Sequence, residues 1–327
     1  MKNQNVKVPS ILMMIFAMVM APVFVSAQGQ SYQAFDNKIV KRINVDSIYQ
    51  HISYLSEEIG SRAAGTEGEL QTIDYLVDQF ENFGYEDVDV EQFTAQTWNG
   101  EEITSYNVEA VKEPNKNHDT GQQIVIGSHH DSVPNGPGAN DDASGTGVLL
   151  ELARVFAKTP TDTTIKFVAF GAEENGLLGS QKYVEEMSEE EIANTVAMFQ
   201  LDMVGSADAG DLVMFTVDGE QNVVTDLGAA AGSRVSDVVP YSQLSRSDHV
   251  AFHDAGIPAA LFIHTPLEPW YHTEDDLIQY ISKEKLKDVG NIIGSAVYQI
   301  SRKDTPALER ANVAPESVEY EYEAPEL

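Results

Sequence analysis

Five short motifs, in a fixed order, carry side chains that bind metal ions or move protons. They span residues 128–132 (SHHDS), 138–145 (GANDDASG), 171–176 (GAEENG), 200–203 (QLDM) and 270–273 (WYHT). Imidazole and carboxylate donors suit divalent cations, and a further carboxylate can act as a general base. The motif set therefore predicts metal-assisted hydrolysis of an amide bond.

The first motif places His129 and Asp131 two residues apart. On an extended segment both side chains point to the same side, while His130 points away. A metal-bound imidazole usually donates its other N–H to a carboxylate. The spacing therefore predicts His129 as a ligand and Asp131 as the group that orients it. By itself, such a pair is also typical of a hydrogen-bonded loop.

Asp141 lies in a glycine-rich loop ahead of a predicted helix. The run Asn140-Asp141-Asp142 is most often a helix cap. A carboxylate at this position can also bridge two cations, because each oxygen can bind one. The motif alone leaves both interpretations open.

Glu173 and Glu174 follow a predicted strand that ends at Phe170 and are flanked by Gly171 and Gly176. In a loop, one of two adjacent carboxylates can bind metal while the other faces a water molecule. Glu-Glu pairs are also common on ordinary surfaces. The position after a buried strand favours the functional interpretation.

Asp202 ends an apolar strand, where a carboxylate needs a cation or an Arg partner. His272 offers a ligand beside the hydroxyl of Tyr271. With Asp141 and Glu174, Asp202 contributes a charge of about −3, which two Zn²⁺ ions and one hydroxide would bring to about zero. Two imidazoles with carboxylates suit Zn²⁺ best, and Co²⁺ or Mn²⁺ could substitute.

Helical and strand-like periods alternate through most of the chain. Helices are predicted at 45–58, 67–83, 143–158, 178–187, 223–231 and 282–301, and strands at 87–93, 105–111, 124–126, 164–170, 196–201, 212–216 and 258–263. The spacing of Ser188 and Glu191 predicts a capping box. The alternation predicts one α/β domain with a mostly parallel mixed sheet and helices on both faces. Ligands bind beyond the carboxyl ends of such strands, where four of the motifs lie.

The ends of the chain differ from this domain, which we place at residues 28–303. Residues 1–27 combine Lys2 and Lys7 with an apolar run and a small-residue cleavage site, which predicts a signal peptide and a secreted protein. A membrane anchor is the alternative, but the run is short for it. Residues 304–327 predict a mobile acidic tail. The alternative is a strap packed on the domain through Tyr320 and Tyr322.

The charge and the absence of cysteine exclude several classes of function. Lys and Arg number 20 against 52 Asp and Glu, a formal net charge of −32. Nucleic acid is excluded as a partner because phosphate contacts need clustered Lys and Arg. With no Cys, a thiolate can be neither ligand nor nucleophile, and disulfides cannot stabilise the exported chain.

The ordered motifs resemble the secreted di-zinc aminopeptidases of the bacterial leucyl aminopeptidase type, whose family also includes glutamate carboxypeptidase-like enzymes and glutaminyl cyclases. The resemblance runs from about Ile48 to Ser301 and includes residues 60–65 (GSRAAG), 247–249 (SDH) and 255–258 (AGIP). The set is specific, although no single motif is. It implies the zinc-peptidase, phosphorylase/hydrolase-like α/β fold.

The resemblance also implies roles for particular residues. One zinc ion would be held by His129, Asp141 and Asp202, and the other by Asp141, Glu174 and His272, with a water or hydroxide between the ions. Glu173 would be the general base and Tyr271 a donor to the oxyanion. A cis peptide bond would join Asp141 to Asp142. Arg246 and Phe262 align with substrate-contacting positions.

These expectations predict an extracellular metalloaminopeptidase that removes N-terminal, apolar residues from peptides with a free N-terminus. They predict no membrane partner after signal removal and leave the oligomeric state open. A glutaminyl cyclase with one zinc ion is the first alternative. A carboxypeptidase would need a cationic pocket, for which the chain has few Arg. A non-catalytic binding module would typically have lost ligands or the base, and none is missing here.

Overall fold

Eight strands form one mixed sheet in the order β1-β2-β4-β3-β5-β8-β6-β7. The computed structural model describes residues 27–303 and 315–319, so most of the predicted signal peptide lies outside the described residues. The strands are β1 (Val88–Gln96), β2 (Glu102–Lys112), β3 (Gln123–His129), β4 (Thr164–Phe170), β5 (Thr195–Leu201), β6 (Asp211–Thr216), β7 (Tyr241–Gln243) and β8 (Ala259–Thr265). The prediction of one α/β domain with a mixed sheet is confirmed.

The central strands β4, β3, β5 and β8 run parallel to one another. Strands β2 and β6 flank this block in the antiparallel direction, and β1 and β7 complete the two edges. The carboxyl ends of four neighbouring strands therefore meet at one edge of the sheet, where ligand sites form in folds of this kind.

Helices cover both faces of the sheet. They are α1 (Ala27–Val40), α2 (Val45–Ser53), α3 (Glu67–Phe83), α4 (Ala143–Ala157), α5 (Leu178–Glu186), α6 (Glu189–Asn194), α7 (Val223–Val235), α8 (His249–Asp254) and α9 (Lys283–Ile300). Among the described residues, no helix combines the length and apolar character needed to cross a bilayer.

Local sequence signals explain where several helices begin and end. Gly84 has φ +99° and ends α3 in the left-handed region. The capping box predicted at Ser188 is present at the start of α6. The helix predicted from 45 to 58 changes at Tyr54 into a π-helical turn, Tyr54–Ile59, which ends where the Gly60 N–H reaches the Leu55 carbonyl.

Apolar packing fixes the sheet between its two helical layers. The larger core joins one face of the sheet to α2, α3, α4, α7 and α9. On the opposite face Val125, Val168 and Met198 pack against Phe252 of α8 and Tyr183 of α5. Strand β3 is buried along its whole length, as its continuous apolar run predicts.

The C-terminal segment differs from the prediction of a mobile tail. Residues 315–319 lie along edge strand β7, and Ser317 forms a parallel bridge with Tyr241. Val318 packs against a cluster of buried apolar side chains. The tail prediction is therefore wrong for this segment, because main-chain hydrogen bonds and apolar contact fix it. Tyr320 and Tyr322, the anchors of the alternative, lie outside the described residues.

Candidate metal centre

The predicted site residues meet at the carboxyl ends of the parallel strands. His129 is the last residue of β3, and Asp202 directly follows β5. Glu173 and Glu174 lie in the loop after β4, and His272 lies in the loop after β8. Because these strands are neighbours in the sheet, residues far apart in sequence come within contact distance.

Asp141 lies between the two imidazoles. Its Oδ1 is 3.1 Å from His129 Nε2, and its Oδ2 is 3.2 Å from His272 Nε2. Each carboxylate oxygen therefore faces a different ring. This is the arrangement that a carboxylate shared between two cations requires.

The remaining donors form two groups around Asp141. His129 Nε2 is 3.5 Å from Asp202 Oδ1, and His272 Nε2 is 3.0 Å from Glu174 Oε2. Donor atoms of Asp141, Glu174 and His272 lie within 4.8 Å of one another, as do those of His129, Asp202 and Glu173. Glu173 thus lies close enough to His129 and Asp202 to reach a cation, or a water molecule, that these two residues would hold.

The chemistry of these donors fits divalent cations. Nitrogen and carboxylate oxygen donors converge, which is the ligand set that zinc accepts. Glu174 Oε1 and Asp202 Oδ1 are buried without a hydrogen-bond partner. Buried anionic oxygens of this kind are costly unless a cation or donor compensates them. Both oxygens belong to the predicted ligands, so cations at this site would satisfy them.

Negative charge dominates the electrostatics of the site. Burial alone would lower the pKa of His272, but hydrogen bonds to Asp141 and Glu174 raise that pKa to about 10. Burial is likewise outweighed at His129, where the charge of Glu173 and the close carboxylates of Asp131, Asp141 and Asp202 raise the pKa well above the ordinary value. The carboxylates therefore favour positive charge at both rings, which metal ions would supply in place of protons.

The carboxylates of the site divide into two kinds. Burial would raise the pKa of Asp141, but hydrogen bonds from His129 and His272 outweigh it and hold the pKa below the ordinary range. Burial, followed by repulsion from Asp141, raises the pKa of Glu174 to about 7. Burial and the negative charges of Asp202 and other neighbours raise the pKa of Glu173 well above its usual value. A raised pKa suits the proton transfer predicted for Glu173. At Glu174 it shows that ionising this buried carboxylate is costly unless a cation compensates it.

Asp131 supports the site in a way that its sequence position did not indicate. Its Oδ1 lies 3.5 Å from His129 Nδ1, on the side that the spacing predicts. Its two oxygens also accept the backbone N–H groups of Glu173 and Glu174, at 3.1 and 3.2 Å. One buried carboxylate therefore anchors the glutamate loop and also lies beside the first imidazole.

Asp142 ties the bridging residue to its surroundings. The peptide bond between Asp141 and Asp142 is cis, as the resemblance implies. The Asp142 carboxylate caps α4 by accepting the Gly145 N–H at 2.8 Å, and it also accepts the N–H groups of Met203 and His129. The helix-cap interpretation of this motif therefore holds for Asp142, while Asp141 is left to face the imidazoles.

A second layer beneath Asp141 was missed by the sequence interpretation. Asp276 accepts the backbone N–H of Asp141 at 2.9 Å and that of Asn140 at 2.8 Å. The Asn140 side chain donates to Glu268 at 2.7 Å. The fully buried Arg62 donates to the carbonyl oxygens of His130 and other loop residues. Arg62 belongs to a motif noted above, but no sequence signal distinguishes Asp276 from a surface acid.

Three residues at the site have left-handed backbones without being glycine. Ala172 has φ +52°, Met203 +54° and His272 +59°. His272 is a predicted ligand, Ala172 precedes Glu173, and Met203 follows Asp202. Such conformations are uncommon outside glycine and cluster at functional sites.

The predicted oxyanion donor lies beside the second ligand group. The ring of Tyr271 stacks on that of His272, with centroids 3.7 Å apart.

Arg246, predicted to contact substrate, is exposed and lines a cavity with Gln243 and Glu319.

The prediction for Phe262 is wrong. Its side chain is fully buried and lies in the larger core, where its ring stacks against Phe199. Side chains alternate along a strand, so Phe262 of β8 faces the helical layer while its neighbours Leu261 and Ile263 face the other way. Its side chain is enclosed by protein and cannot contact a substrate.

Comparison with known proteins finds similar folds and similar sequences. The structure is similar to the aminopeptidase from Aneurinibacillus sp. strain AM-1 (37% identity, TM-score 0.81, covering 87% of this chain and 100% of that one). It is also similar to BSAP, a zinc aminopeptidase from Bacillus subtilis (28% identity, TM-score 0.75, covering 81% and 97%). In sequence, aminopeptidase YwaD of Bacillus subtilis (strain 168) is 44% identical over 209 residues, 62% of this chain and 46% of YwaD.

The chain spans about half the length of the curated relatives it matches in sequence. The model of peptidase family M28 matches residues 107–297 of the 327. That range includes each of the six residues whose donor atoms form the two groups. By this match and by the arrangement of its site, the chain belongs to peptidase family M28.

Proposed function

We propose that this protein is an aminopeptidase that works with two zinc ions. The observation that carries the proposal is the position of Asp141, whose two oxygens lie 3.1 and 3.2 Å from the imidazoles of two separate donor groups. A single-ion site would not need a carboxylate facing both ways. Aminopeptidase activity is also what the names of its relatives state for those proteins.

Glu173 is the general base in this proposal. It takes a proton from the attacking water and passes it to the nitrogen of the leaving peptide. When bound, the zinc ions would supply Lewis acidity and positive charge at the scissile carbonyl. Tyr271 donates a hydrogen bond to the oxygen on which negative charge develops. Asp131 holds the loop of Glu173 in place through the Glu173 N–H.

The substrate in this proposal is a peptide with a free N-terminus and an apolar first side chain. An apolar cluster with the buried members Met203, Val213, Phe215, Leu261 and Ile263 reaches the ligands through Met203. Leu244, Leu267, Tyr271 and Val318 pack against it and are partly exposed, so they are the members that a substrate side chain can contact. Met203 follows Asp202 in the chain, and Tyr271 precedes His272. Apolar walls beside a polar reacting centre are typical of sites that bind apolar side chains.

We also propose that the protein is exported. The support is the N-terminal pattern, in which Lys2 and Lys7 precede an apolar run over residues 11–25 and a small-residue site at Ala27. N-terminal sequencing of protein recovered from the medium of an expressing bacterium tests this. A mature N-terminus near Gln28 supports export, whereas an intact Met1 in the cytoplasm contradicts it.

The activity is tested with purified, zinc-loaded protein and a panel of aminoacyl 4-nitroanilides. We expect hydrolysis of Leu and other apolar derivatives and none of N-acetylated ones, because the free amine is part of the substrate. Absence of hydrolysis across the panel contradicts the proposal. Cyclisation of an N-terminal Gln peptide with one bound zinc would instead favour a glutaminyl cyclase. Cleavage of N-blocked peptides from their C-terminus would favour a carboxypeptidase.

A further inference from the structure

The segment 315–319 is held against the edge of the sheet by main-chain hydrogen bonds. Tyr241 N donates to the Glu316 carbonyl and Val318 N donates to the Tyr241 carbonyl, both at 2.9 Å. The hydroxyl of Ser242 donates to the Val318 carbonyl at 2.7 Å. These bonds add the segment to the edge of the sheet as a parallel partner of β7, so the segment has a defined register.

That register points Val318 at the apolar cluster defined above. Val318 is partly buried there, and Glu316, Ser317 and Glu319 are exposed. The same cluster receives Leu244, which follows β7, and Tyr271, which lies beside His272. Val318 therefore packs against the same cluster as Tyr271, the chain neighbour of His272, although Val318 lies 46 residues beyond His272 in the sequence.

The segment also borders open space on this side of the molecule. A cavity of about 640 Å³ is lined by residues 317–319 together with Arg246, Gln243 and Gly219. Residues 317–319 thus line this cavity while Val318 packs against the apolar cluster.

We propose that the segment 315–319 is a specificity-determining wall of the substrate site, with Val318 as its positioning residue. By packing against the cluster that includes Leu244 and Tyr271, Val318 limits how far the cluster can yield to a large substrate side chain. This inference rests on the proposed aminopeptidase function. It predicts that the size of residue 318 sets the preference between large and small N-terminal side chains.

The test compares Val318→Ala and Val318→Phe with wild type in the full chain. The readout is the ratio of kcat/KM for Phe 4-nitroanilide to that for Ala 4-nitroanilide. Val318→Ala should raise this ratio by about threefold or more, and Val318→Phe should lower it, since a pocket discriminates side chains by the room it leaves. Glu316→Gln is the matched control, because its side chain is exposed and only its carbonyl oxygen bonds to β7.

If Val318 had only a structural role, its variants would lower kcat/KM for the Phe and Ala substrates together and leave the ratio of the two unchanged. A ratio within about twofold of wild type in both Val318 variants, with wild type active, overturns the inference and leaves the proposed function standing. Loss of all aminoacyl hydrolysis in wild type overturns both. If Val318→Phe fails to fold, as thermal unfolding would reveal, Val318→Ala alone decides.

Discussion

The carboxylate of Asp276 accepts the backbone N–H of Asp141, with 2.9 Å between Asp141 N and Asp276 Oδ2. It also accepts the N–H of Asn140 and is almost completely buried. The carboxylate that faces both imidazoles is therefore held in place by a residue 135 positions later in the chain.

Asp276→Ala should weaken zinc binding by about tenfold or more, because outer partners of metal ligands commonly contribute this much to affinity. Competition with a chromophoric chelator measures the change. The neighbouring Asp275 is exposed, so Asp275→Ala should bind zinc as wild type does. Equal affinity in the two variants would contradict the role given to Asp276.

Glu173→Gln and Glu174→Gln should fail in different ways. Glu173→Gln removes the proposed base, so kcat should fall by about 10²–10⁴-fold while two zinc ions remain bound. Glu174→Gln removes the carboxylate of a predicted metal ligand, whose Oε2 lies 3.0 Å from His272 Nε2. The zinc content should therefore fall as well. Atomic absorption and steady-state kinetics on both variants separate the two effects. Full activity in Glu173→Gln would exclude it as the base.

Phe262→Ala should act on stability and leave selectivity unchanged. Because Phe262 is fully buried against Phe199, truncating it should lower the free energy of unfolding by about 3–5 kcal/mol. Denaturant titration measures this loss, and Trp98→Ala, at a residue 82% exposed, should change little. An unchanged unfolding midpoint with an altered KM for apolar substrates would restore Phe262 to the substrate site.

His51 should make stability depend on pH. Burial, followed by the charge of Arg154, lowers the pKa of His51 from 6.5 to about 4. The unfolded chain therefore binds this proton more readily, so the contribution of the neutral ring is present above pH 6.5 and is lost as the pH falls toward 4. Between pH 7 and 5, wild type should lose about 2 kcal/mol more stability than His51→Gln.

Denaturant titrations at several pH values measure that difference. His118 is exposed, so His118→Gln is the control and should follow wild type. Parallel loss of stability in wild type and His51→Gln would contradict the role assigned to burial of His51.

The sequence predicted which side chains converge at the site better than it predicted the residues that support them. His129 ends β3, Asp202 directly follows β5, and Glu174 lies in the loop after β4. Parallel neighbours must bring such strand ends together. Asp276 accepts backbone N–H groups, and Asn140 donates through its buried side-chain amide. The partners in these bonds are set by loop conformations, which leave no period or motif in the sequence. For the same reason the second role of Asp131, with the N–H groups of the glutamate loop, was not predictable.

Two errors have identifiable physical causes. The substrate contact expected for Phe262 rests on a resemblance to relatives, and a shift of one position along a strand exchanges the site face for the core face. The acidic composition of the C-terminal residues predicts that the segment 315–319 is mobile. Its attachment depends instead on main-chain hydrogen bonds to Tyr241 and on a single apolar side chain, Val318. Amino-acid composition does not predict such main-chain bonds.

The most direct test of the account is the zinc content of wild type beside Asp141→Ala and His272→Ala, measured by mass spectrometry of the native proteins. A shared carboxylate predicts two ions in wild type, one in His272→Ala, and loss of both from Asp141→Ala at limiting zinc. A single ion in wild type, or two retained by Asp141→Ala, would contradict the bridging role of Asp141.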